Sequence, residues 1–179
     1  IPSQSALKKQ SEEQLRKKMA REIRVTLEQL IPVLNTNDPG LTRIRENLTK
    51  RILMFIEAAE LPDNQTSSLV DVVSRLSYGV DLAMMIIKDG EARRLLAEGW
   101  VALGFLVRDI PDSRMGFYAR AAQQKWKDFA ASLRRADGLS AGTRQKSFFQ
   151  SIDQDQSSAI ISGAGWEGGA IVWILMSFA

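Results

Sequence analysis

Apolar residues in this chain recur at steps of three and four, stretch after stretch. That spacing puts them on one side of an α-helix and rules out most alternatives. From Ser11 onward, Leu15, Met19, Ile23, Leu27, Leu30, Ile31 and Leu34 form one such stripe. Ser11 with Gln14 has the pattern of a capping box, so the first helix is expected to start there and to bend or end near Pro32. The run 35–40, Asn-Thr-Asn-Asp-Pro-Gly, is a loop signal. A second helix is expected from Leu41 to Leu61, with Leu41, Ile44, Leu48, Ile52, Phe55 or Ile56, and Ala59 inward. A third, capped by Ser67 or Ser68, would bury Leu69, Val72, Val73, Leu76, Val80, Met84 and Ile87. Gly79 inside it marks a kink or a close helix crossing.

The pattern continues through a fourth helix, Glu91 to Arg108, with Leu95, Leu96, Trp100, Leu103, Leu106 and Val107 on its apolar side. Asp112 or Ser113 is the expected cap of a fifth, which runs to Arg135 and stops before Asp137-Gly138. A short sixth helix is expected near Thr143–Ile152. After a Ser- and Gly-rich stretch, 157–169, the chain ends in the uncharged run Ala170–Ala179, taken as a central core helix surrounded by neighbours. There is no internal repeat, sustained heptad array or convincing alternating strand. The expected fold class is all-α: a single-domain helical bundle of about six or seven helices with an apolar C-terminal helix. Residues 1–10 are expected to be a flexible basic N-terminal arm, and 11–179 the domain.

Composition matters mainly for what it removes. The 179 residues include no Cys and no His, so a thiol nucleophile, a Ser-His-Asp triad and a Cys/His zinc site are excluded. Carboxylates could still serve acid–base or metal chemistry. The acids inside apolar runs are Asp71, Asp81 and Glu98. Asp71 and Asp81 lie about 80° apart around a continuous helix, which does not pair them. Asp153-Gln154-Asp155 lacks the Gly and Glu that complete a calcium loop. Gly163-x-Gly165-x-x-Gly168 has no preceding strand, so it is not a dinucleotide site. The expectation is a protein that is not an enzyme and needs no cofactor or metal.

Charge is unevenly spread. Residues 1–24 hold seven basic against three acidic side chains, and residues 114–146 hold eight against two, although the whole chain is only +3. In the fifth helix Tyr118, Ala122, Trp126, Phe129 and Leu133 share one face, whereas Arg120, Lys127 and Arg134 recur every seven residues. Arg120 lies roughly 160° from Tyr118 around the axis, so a basic row backs onto an aromatic one. In the first helix Arg16, Lys17, Arg21 and Arg24 oppose Leu15, Met19 and Ile23. The candidate binding residues are therefore Arg16, Lys17, Arg21, Arg24, Arg120, Lys127, Arg134 and Arg135.

These observations favour an α-helical interaction module of adaptor, assembly or effector type, binding a protein partner, acidic where it meets the basic faces. The alternative is a nucleic-acid-binding protein using the fifth helix together with the N-terminal segment. One continuous positive surface would favour nucleic acid; separate patches would favour protein contacts. A homo-oligomer is a further expectation for the apolar tail. Membrane action by that tail is disfavoured, because ten residues span about 15 Å, half of the ~30 Å hydrocarbon core. Ile1-Pro2-Ser3-Gln4-Ser5 lacks the layout of a secretory signal, and absence of Cys leaves the compartment open.

Overall fold

A computed structural model of the chain describes residues 3–34, 37–59, 66–135, 148–149 and 170–178. The fold is all-α, with no strand among the described residues. Its helices are α1 (Gln4–Glu28), α2 (Pro39–Ala59), α3 (Thr66–Ile86), α4 (Gly90–Leu106), α5 (Phe117–Arg134) and α6 (Ala170–Met176), with a 3-10 turn at Asp112–Arg114 before α5. The expected helix near Thr143–Ile152 lies outside the described residues, apart from Phe148 and Phe149.

The periodic stripes became the core. Met19, Ile23, Leu27, Leu30 and Leu34 of the first stripe are buried, as are all seven inward positions expected of α3. On α2, Ile44, Leu48, Ile52 and Phe55 are buried, with Ile56 packed at the edge.

Helix starts are less well matched. α1 begins at Gln4 and not at Ser11, because Ser3 caps it: the Ser3 hydroxyl accepts from the Ala6 amide at 3.2 Å. Residues 4–10 contain no Gly or Pro, so the helix propagates through them into Ser11. α2 starts at Pro39, inside the expected loop. Asp38 accepts from the Gly40 amide at 2.8 Å, and Pro39 fills the first helical position, where no amide is needed. α5 starts after Gly116, with no side-chain cap, and not at Asp112 or Ser113, which form the 3-10 turn.

The central position belongs to α4 and not to the C-terminal helix. Every residue from Ala92 to Phe105 is buried, because α1, α3, α5 and α6 all pack on α4. α2 completes the bundle by packing on α3 and α1. α6 is only seven residues long and packs on α4 and α1. It buries Ile171, Val172 and Leu175 but leaves Trp173 56% exposed, so it is a covering element.

Small residues set the crossings. A Cβ on Gly104 would stand 1.8 Å from the Ala122 carbonyl oxygen, so α4 and α5 touch backbone to backbone there. A Cβ on Gly99 would stand 2.7 Å from Leu27, where α4 meets α1. Gly79 is the close crossing of α3 on α2, over Leu48 and Arg51, within a continuous helix. Polar side chains close the helix ends inside the bundle. The Gln123 amide of α5 donates to the carbonyls of Val107 (2.9 Å), Arg108 (3.2 Å) and Ile110 (3.0 Å) beyond the end of α4. Arg93 donates to the carbonyls of Met84 and Ile87 (3.0 Å) at the end of α3. Such groups would otherwise be buried without partners.

Candidate interaction surfaces

α5 presents the row that its sequence spacing requires. Trp126 and Phe129 are buried and Tyr118 and Leu133 half-buried on the inner face, while Arg120, Lys127, Arg134 and Arg135 are exposed. The inner face is fixed by the Gly104 crossing and by edge-to-face packing of Trp126 on Phe105, ring centroids 5.0 Å apart. The side chains of Arg120 and Lys127 form no ion pair or hydrogen bond among the described residues. Arg134 donates to the Ala130 carbonyl at 3.2 Å, and Asp128 accepts from Gln124 at 2.8 Å. Arg120 and Lys127 are therefore cations that the fold does not use.

The α1 candidates divide. Lys17, Arg21 and Arg24 are exposed and, at spacings of four and three, share one outer face. Arg24 is tied to Glu28 at 2.9 Å. Arg16 lies about 100° away around the helix. It is half-buried and lines a hollow of about 320 Å³ with Glu12, Phe105, Arg108 and Asp109. α1 packs on α2, α4 and α6, and α5 on α3 and α4.

Sequence reasoning missed a third basic surface, because its cations come from two helices and its aromatic border from a third. Lys50 and Arg51 of α2 and Arg75 of α3 border a notch of about 180 Å³. Arg51 donates to the Arg75 carbonyl at 2.8 Å and to the Asn47 side chain, which holds its guanidinium 5.2 Å over the Tyr78 ring. Tyr78 meets Tyr118 of α5 edge-on at 5.0 Å, and Tyr118 meets Phe117 at 5.0 Å. Phe117 is 70% exposed. Neither α2 nor α3 carries a run of basic residues long enough to stand out in the sequence.

The acids found inside apolar runs have separate fates. Asp71 is exposed and pairs with Arg75 at 3.2 Å, and Asp81 is half-buried on the same helix. Glu98 is fully buried in α4 and accepts from Arg94 at 2.6 Å, while Arg94 also donates to Glu91 at 3.0 Å. Burial pulls the Arg94 guanidinium toward neutrality, but the hydrogen bonds and charges of Glu91 and Glu98 outweigh it and hold its pKa above the ordinary value. Arg94 thus bridges two acids of its own helix. Among the described residues no three carboxylates gather where they could share a metal ion, and no helix is long and apolar enough to cross a membrane.

Fold and surface together define the class: an all-α helical bundle with three basic patches on its outside. No family model, characterised protein or solved structure matches the chain.

Proposed function

We propose that this protein is a non-catalytic helical interaction module that binds an acidic protein partner through the outer face of α5. The observation that carries this reading is the division of labour on that helix. Its Ala122, Trp126 and Phe129 are spent on the core, while the Arg120 and Lys127 side chains point outward with no partner among the described residues. Cations left unpaired on a rigid helix steer acidic surfaces and add orientation to the encounter. That α1 and α5 each pack mainly on other helices supports protein contacts over one continuous track for a nucleic-acid backbone.

Polyglutamate is a defined probe of acidic polypeptide binding. The native chain should bind it at low salt, and Arg120→Glu/Lys127→Glu/Arg134→Glu should abolish that binding with the helical circular-dichroism signal intact. Equal binding by the native and charge-reversed proteins would remove α5 from the interaction.

A further inference from the structure

We propose that the strip running from the α2–α3 notch across Tyr78 and Tyr118 to Phe117 binds single-stranded nucleic acid. Lys50, Arg51 and Arg75 hold the phosphates, Phe117 stacks a base, and Tyr78 and Tyr118 link the two ends. This surface shares no residue with the α5 row and does not rest on the acidic-protein reading.

Three features of the strip point to this ligand. Its cations converge from two helices on one hollow, and the Arg51 guanidinium is held in place by Asn47 and the Arg75 carbonyl with donors left over. A hollow of about 180 Å³ is too small for a drug-sized molecule, which needs about 300–1,000 Å³, but suits a phosphate group. The rings beside it are ordered by edge-on contacts and by the cation over Tyr78, so little freedom is lost when a base settles on Phe117 at their end. Phe117, at the first turn of α5, is 70% exposed, and its ring is open to a planar partner. Every base has such a face, whereas a duplex keeps its bases stacked internally. An acidic peptide would engage the same cations and leave Phe117 uncovered.

Two carboxylates border the strip: Asp71, 3.2 Å from Arg75, and Asp81, three residues along α3 from Tyr78. The Asp71–Arg75 pair has both side chains more than half exposed, so an incoming phosphate displaces it readily. This fixes a sign: removing the Asp71 charge strengthens binding.

The test is fluorescence anisotropy with a labelled oligouridine of about 15 nucleotides, beside a duplex of equal length. The native protein should prefer the single strand. Phe117→Ala should weaken binding about tenfold, within the range for one base–aromatic stack. Lys50→Glu/Arg75→Glu should flatten the slope of log affinity against log salt by about 1.4, two phosphate contacts at about 0.7 each. Asp71→Asn should tighten binding, and Lys127→Glu/Arg134→Glu should weaken it less than the strip pair does. All these positions are solvent-facing, and Asp71→Asn keeps the test open should Phe117→Ala fold poorly. Failure to bind the single strand would overturn the proposal. So would equal affinity for the duplex with no loss in Phe117→Ala, or polyglutamate binding weakened by the same strip variants. The polyglutamate result on α5 stands or falls separately.

Discussion

Glu98 carries a carboxylate into the one helix that is buried on every side. Its partner Arg94 lies one turn back on the same helix, so the pair forms as soon as α4 does and enters the core already neutralised. Truncating one member of such a pair strands the other without its counter-charge. Glu98→Ala should cost about 3–5 kcal/mol, read as a lower urea midpoint at unchanged slope. An unchanged midpoint would mean that Arg94 finds equivalent partners elsewhere. At this scale the sequence was partly legible. Glu98 stood out as an acid in an apolar run, but its burial depends on α1, α3, α5 and α6 all closing over α4, which no local pattern announces. Phe117 was harder still: next to Tyr118 and at the very start of a strongly amphipathic helix, it does not declare which way it faces.

Among the elements, positions are better written in the sequence than edges. Stripes with steps of three and four placed five of the helices and their buried faces, because burial needs that spacing and little else does. The starts moved because caps are decided by one or two polar atoms. Ser3 and Asp38 do this work, while Ser11 sits inside a helix that its neighbours already favour. Backbone contact between α4 and α5 gives a sharp expectation. Gly104→Ala forces a methyl into the Ala122 carbonyl, so the helices must part, at a cost of about 1–3 kcal/mol or more. Gly116→Ala is the control: nothing lies within 4 Å of the added carbon and its φ is −82°, so stability should stay within about 1 kcal/mol of the native value. Thermal melts that respond alike to the two changes would contradict the crossing.

Over the whole molecule, one buried helix organises the rest, and the charged faces follow from that arrangement. The apolar C-terminal run looked like the natural centre because it carries no charge. The fold instead chose α4, whose Arg93 donates to helix-end carbonyls and whose Arg94 pairs with Glu91 and Glu98. A short apolar helix can cover a bundle, but seven residues are too few to form its axis. The same logic explains the basic–aromatic strip, which arises only where α2, α3 and α5 lie side by side and so has no signature in any one of them. Hydrogen exchange under native conditions tests this architecture most directly, since amides at the centre open only with global unfolding. Amides of α4 from Leu95 to Phe105 should be the slowest in the chain, and those of α1 from Leu7 to Gln14, which are helical but exposed, should exchange orders of magnitude faster. Comparable rates in the two segments, or greatest protection in α6, would contradict a bundle built around α4.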